Sequence, residues 1–355
     1  MMPSLLARLQ DLDPDGHGRI KGLRLVAAYG IAAMLGGVHA LATLRLPPAT
    51  LAFLAGAYAL WASVSEARAT PGASCRDLAV LCATSGLGAL LYIGVGPSLA
   101  RLMPAGAEFA LVLGAFLVGF LKRFGVLGAG MGSQVYIGEI LAYSFNFDRT
   151  DLVSVGVAVS IAIPSAIIPR LLAGRFEYTG TVGALSPADI PNRWPLAPET
   201  IMGIQAAIAA VIAIAINQAF GLAESVWAVT AAAYVVASTA SGTVERVRRR
   251  IVGTLVGVPL GLICLPLATH APVLLWSAGA LAMVLYGIAL PKRYDIACGA
   301  FAFTLVVTLA ASGQHSIELL AARTWQTILG GTLGLAAALW ILPLRERRGG
   351  LSRGQ

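Results

Sequence analysis

Twelve apolar runs dominate the chain. They lie near residues 23–42, 48–64, 76–95, 106–121, 125–145, 151–170, 200–220, 223–240, 250–268, 272–290, 295–312 and 323–343. An apolar helix needs about 20 residues to cross the hydrocarbon of a bilayer. Several runs are shorter, yet each is continuous. A transmembrane β-barrel would instead alternate apolar and polar positions along every strand. Charge is scarce as well: 57% of the 355 residues are hydrophobic and 12% are charged, where a soluble domain carries about 25% charged residues. The expected fold class is an all-α polytopic membrane protein with about twelve transmembrane helices. The first run follows a polar stretch and ends in no small-residue cleavage site, so no removable signal peptide is expected.

The formal net charge is +8. On a soluble domain that would point to nucleic acid. Its distribution points elsewhere. When the loops between runs are assigned alternately to two sides, 21 of the 25 basic residues fall on one side, and the other holds only Arg45, Arg101, Arg149 and Arg323. The positive-inside rule then places both termini in the cytoplasm. Arginine far outnumbers lysine, and alanine and glycine abound, which fits a bacterial source and hence the cytoplasmic (inner) membrane. No nucleic-acid partner is expected. Cys75, Cys82, Cys264 and Cys298 show no paired spacing and read as small buried thiols.

The chain also repeats. LKRFG (Leu121 to Gly125) recurs as PKRYD (Pro291 to Asp295), and AGAYALWAS (Ala55 to Ser63) recurs as AAAYVVAST (Ala231 to Thr239). Arg149-Thr150 and Arg323-Thr324 each open a run that reaches a proline twenty positions after the arginine (Pro169, Pro343). Matches in the same order predict two six-helix repeats. Six is even, so the two are parallel, related by an axis along the membrane normal. The expected organisation is an N-terminal cytoplasmic segment 1–22, a first repeat 23–170, a proline-rich cytoplasmic linker 171–199, a second repeat 200–343 and a cytoplasmic tail 344–355.

Several residues could carry chemistry. DPDGHGRI (Asp13 to Ile20) has the front of a calcium loop, but His17 and Arg24 stand where further oxygen ligands belong. A solvated turn is expected there. GVLGAGMGSQ (Gly125 to Gln134) follows a loop rather than a strand, so it fails as a dinucleotide motif; it reads either as helix packing through small residues or as a loosened helix start whose amides face an anion beside Lys122 and Arg123. Glu139 sits well inside a run (VYIGEILAY) with no acidic counterpart in the second repeat. It is either a proton-coupling group or a carboxylate solvated near the outer boundary. Arg149 and Arg323 occupy equivalent run starts, as headgroup anchors or as attractors of anions to a central path. Tyr58 and Tyr234 are repeat-related and surrounded by small residues. They either pack or line a path for an aromatic substrate. No histidine spacing suggests a metal, and no nucleophile stands with a base, so neither a metal, a cofactor nor an enzyme activity is expected.

GTVERVRRRIVGTLVGVPLG (Gly242 to Gly261) joins these threads. Arg246, Arg250, Gly253 and Gly257 step by four, three and four and share one helix face. The stretch from Trp227 to Gly261, with its opening tryptophan, Arg246, Arg250, Gly253-Thr254 and Gly257, resembles the core motif of the fusaric-acid-resistance-like (FUSC) family of integral membrane transporters. RTWQTILGG (Arg323 to Gly331) resembles that family's closing helix, and Gly86 is the first-repeat partner of Gly257. The family includes efflux proteins for aromatic carboxylic acids, and the plant aluminium-activated malate transporters are similar. The resemblance implies a basic anion path at Arg246 and Arg250, flanked by Arg149, Arg323, Tyr58 and Tyr234, and export of small organic anions. Gly253, Thr254, Gly257 and Gly86 serve as its helix-packing motif. The expected partners are those anions and membrane lipids. Homodimerisation and a periplasmic adaptor are left open by this reading. The alternative is a non-transporting membrane scaffold or envelope-assembly component, whose arginines meet only anionic lipid.

Overall fold

The computed structural model describes residues 13–38, 46–68, 70–173, 196–221, 226–237, 239–311 and 317–344. In chain order the helices are α1 (His17–Gly36), α2 (Pro48–Ser65), α3 (Pro71–Leu102), α4 (Gly106–Phe109), α5 (Leu111–Phe120), α6 (Gly125–Ser144) and α7 (Leu152–Ala173). They continue with α8 (Pro198–Phe220), α9 (Val226–Val235), α10 (Ala240–Ile263), α11 (Leu267–His270), α12 (Pro272–Ala289), α13 (Tyr294–Ala311) and α14 (Ile317–Trp340). No strand occurs among the described residues. Proline opens α2, α3, α8 and α12, where its fixed φ suits a first turn and its missing N–H leaves nothing unbonded.

Among the described residues, six segments are long and apolar enough to cross a membrane: Pro48–Ser65, Pro71–Leu102, Gly106–Ser144, Arg149–Ala173, Pro198–Phe220 and Pro272–Ala289. The longest is folded back on itself. A 3₁₀ turn at Leu121–Phe124 and a Gly125 φ of 74° reverse the chain between α5 and α6. Beyond that turn α6 is regular. Its Gly128 and Gly132 lie against the backbone at Leu121 and Leu117, as the packing reading of GVLGAGMGSQ requires.

Helix pairings recur along the chain. α3 packs along α6 and α7, as α10 packs along α13 and α14. α2 packs on α7 as α9 packs on α14, and α5 on α6 as α12 on α13. Two seams join the groups, α5 against α8 and α12 against α1.

Three boundaries differ from the hydropathy reading, each for a local reason. α9 ends at Val235, and α10 starts at Ala240 instead of near 250. The Thr239 side chain accepts the Gly242 N–H at 3.1 Å and so caps α10. Thr243 Oγ1 accepts the Ala237 N–H and donates to the Thr239 carbonyl, both at 3.0 Å. The four arginines are good helix formers, so they extend the helix beyond the apolar run. α14 likewise starts at Ile317, which puts Arg323 inside the helix rather than at its start. At the N-terminus, the Asp13 carboxylate accepts the N–H groups of Gly18 and Arg19, both at 2.9 Å, and caps the first turn of α1. Residues 174–195 of the expected linker and 345–355 of the expected tail lie outside the described residues, as do residues 1–12.

Candidate functional site

The arginine-rich ends of the two helix groups are wired differently. In the first, Arg24 meets Glu66 at 3.0 Å and Arg170 approaches the same carboxylate at 3.8 Å, all three side chains having no exposure. Arg170 also donates to Ser74 Oγ at 2.8 Å. Arg68 and Arg76 share Asp77 at 2.6 and 3.1 Å. The α1 and α7 arginines are therefore tied to the α2–α3 connection through buried acid.

In the second group Glu245 takes Arg248 and Arg249, and Asp295 takes Arg293. The two guanidiniums beside Glu245, Arg249 first, hold its carboxyl below the usual range. Arg246 and Arg250 make no ion pair among the described residues, and neither does Lys122 in the α5–α6 turn. Lys122 lies within electrostatic range of Arg246, and Tyr294 within range of both Arg246 and Arg250. Like charges gathered without a counter-ion repel one another, and an arriving anion relieves that repulsion.

The glycines on the same α10 face settle its orientation. A β-carbon at Gly253 would collide with the Asp295 carbonyl, and one at Gly257 with the Gly299 carbonyl. The glycine part of the face is therefore pressed backbone to backbone on α13, with Thr254 buried beside it. One turn further toward the basic end, Arg250 lies beside the Tyr294 hydroxyl, with Tyr234, Tyr286 and Cys298 within electrostatic range. Arg250 is half-buried and Arg246 exposed.

Beyond Arg250 the seam is aromatic. Tyr136 of α6 and Tyr234 of α9 meet edge to face, with ring centroids 5.9 Å apart. Thr230 Oγ1 donates to the Val226 carbonyl at 2.7 Å, so at 3.1 Å it accepts the Tyr136 hydroxyl proton. Tyr234 donates to the Ser133 carbonyl at 3.5 Å. Glu139 stands almost one turn further along α6, 1% exposed, against Gly114 of α5. Its Oε2 has no hydrogen-bond partner among the described residues. Lys122, Arg246, Arg250, Tyr234, Tyr136 and Glu139 thus follow one another along the junction of α5 and α6 with α9 and α10.

The other singled-out residues lie apart from this line. Tyr58 is fully buried in the apolar core with Leu54 and Leu81. Gly86 faces Val159 of α7, while the close backbone approach to α6 is made at Gly88, against Val135. Arg149 is exposed beside a capping box formed by Asp148 and Asp151. Arg323 is 6% exposed, its guanidinium 3.4 Å from the Trp227 ring centroid, a desolvated cation–π contact. Sequence reasoning set Lys122 beside a separate anion-facing helix start and left Tyr136 and Tyr294 out altogether. The KRF/KRY repeat was a signal for Lys122. The two tyrosines gave none, because their position depends on how α6 and α13 meet α9 and α10. The opposite seam holds a cavity of about 130 Å³ lined by Tyr29, Trp61, Trp276 and Phe301 among others, with no charged side chain in its wall.

Residues 207–337 match the family model described as fusaric acid resistance protein-like. Over that stretch the chain is similar to the fusaric acid resistance-like family. The matched segment holds Tyr234, Arg246, Arg250, Gly253, Thr254, Gly257 and Arg323, while Lys122, Tyr136 and Glu139 lie outside it. No curated protein and no solved structure matches the chain. With six described segments apolar and long enough to cross a bilayer, the chain is a multi-pass membrane protein.

Proposed function

We propose that this protein exports organic anions, aromatic or other carboxylates foremost, across the bacterial cytoplasmic membrane. The observation that carries the reading is the row of three basic side chains, Lys122, Arg246 and Arg250, that no carboxylate among the described residues ion-pairs, opening onto the edge-to-face pair Tyr136 and Tyr234. A carboxylate needs a cation, and an aromatic body gains from an edge or face contact. An anion leaving a negative interior gains about 2.3 kcal/mol per charge and 100 mV, so export needs no other driving force. Arg246 and Arg250 form the inner mouth in this reading, and Arg149 and Arg323 attract the anion at the outer end.

The architecture we propose for it is twelve spans in two parallel six-helix repeats, residues 23–170 and 200–343, with cytoplasmic termini. The recurring pairings support it, since each group's fourth long helix (α5, α12) packs on the other group's first (α8, α1). Glu139 is the proton-coupling candidate, a membrane-embedded carboxylate without an ion-pair partner among the described residues.

The test is efflux of a panel of weak organic acids from proteoliposomes. Arg246→Gln with Arg250→Gln should lower flux about tenfold or more, the loss of at least one charge-assisted hydrogen bond, while insertion persists. Undiminished flux of every transported acid would remove the arginines from the path. Flux of no acid even in the unmodified protein would favour the scaffold. Glu139→Gln separates coupling from channel-like permeation. A full rate with its pH dependence intact excludes coupling through that residue.

A further inference from the structure

The face of α10 opposite Gly253 and Gly257 is as ordered in its chemistry as the packed one. Arg248, Val252, Leu255 and Pro259 step by four, three and four, so they share a face. Val252, Leu255, Val256 and Ile263 on that side are 49%, 46%, 55% and 73% exposed. At its basic end, Arg248, Arg249, Val252, Arg293 and Asp295 line an open pocket of about 340 Å³. Three guanidiniums stand there against two carboxylates, Glu245 and Asp295, leaving one positive charge in excess. Each guanidinium carries five N–H donors, so the ion pairs leave donors to spare.

We infer that this pocket and the apolar face beneath it bind an anionic phospholipid, the phosphate among Arg248, Arg249 and Arg293 and an acyl chain along Val252, Val256 and Ile263. Lengths agree. From Val252 to Ile263 the helix rises about 16 Å, close to the depth of one leaflet in a hydrocarbon core of ~30 Å. A soluble phosphate would use the pocket but not the exposed apolar face, and a neutral phospholipid would use the face but gain nothing from the excess charge. Neither Arg246 nor Arg250 lines the pocket, so the site stands whether or not those residues conduct an anion.

The experiment uses the full chain in detergent micelles, titrated with phosphatidylglycerol, phosphatidylcholine or inorganic phosphate, with thermal stability as the readout. Phosphatidylglycerol should stabilise the protein at far lower concentration than either alternative. Arg248→Gln with Arg249→Gln should raise the required concentration about thirtyfold, about fivefold for each basic residue removed. Arg293→Gln alone should raise it about fivefold. All variants should keep the melting behaviour of the parent in phosphatidylcholine. Arg246→Gln with Arg250→Gln, which is expected to disable the anion path, should keep the phosphatidylglycerol response. The inference is overturned if inorganic phosphate or phosphatidylcholine stabilises as well as phosphatidylglycerol, or if the double variant at Arg248 and Arg249 responds like the parent.

Discussion

The two arginine-rich ends use the same side chain for opposite purposes. In the first helix group, Glu66 and Asp77 absorb Arg24, Arg170, Arg68 and Arg76, and the result is a locked junction of α1, α3 and α7. In the second, Glu245 and Asp295 take Arg248, Arg249 and Arg293, and Arg246 and Arg250 face the seam without a carboxylate among the described residues. A paired buried arginine fixes structure. An arginine left unpaired beside aromatic rings has its charge available to a ligand.

The largest expected effect tests the locked side. Glu66→Ala leaves Arg24 and Arg170 buried without their counter-ion and should cost about 3–5 kcal/mol, read as loss of thermal stability in micelles. A stable Glu66→Ala protein would break the comparison. The converse substitution gives the second group an acid. Tyr294→Glu puts a carboxylate beside Arg250 and should lower organic-anion flux about tenfold or more with the fold retained. Unchanged flux would mean that the charge on Arg250 is not what the anion meets.

Gly257→Val forces a side chain into the Gly299 carbonyl and should cost about 1–3 kcal/mol as overpacking. Gly88→Val, pressed on Val135, should cost a similar amount, because this close contact is common to both groups. The smallest difference separates Arg323 from Arg149. Arg323→Ala gives up the contact with Trp227 and should cost about 0.5–2 kcal/mol. Arg149→Ala, on an exposed side chain, should stay within about 0.5 kcal/mol. Equal losses would restore the equivalence that the repeat implied.

Much of this was legible in the chain. Apolar runs announce helices because a buried or lipid-facing backbone must satisfy its own hydrogen bonds. The four-three-four spacing of Arg246, Arg250, Gly253 and Gly257 announced a shared face. Helix ends were less legible. Hydropathy placed the start of α10 near 250, because a charged turn looks like a loop, whereas the Thr239 cap and four arginines carry the helix back to Ala240. Arg323 likewise read as a helix start, and α14 begins before it.

The sequence by itself determined an all-helical membrane protein and the spacing that lets glycines of α10 meet α13, since both depend on local periodicity and composition. Only the tertiary structure decided which arginines are neutralised. Asp77 is a sequence neighbour of Arg76, but Glu66 lies 42 positions from Arg24, and nothing local links them. It also separated Tyr58, sealed in the core, from Tyr234 on the seam, which the sequence had paired with it. The similar local sequence around them cannot distinguish the two, because the neighbours that decide their burial come from other helices.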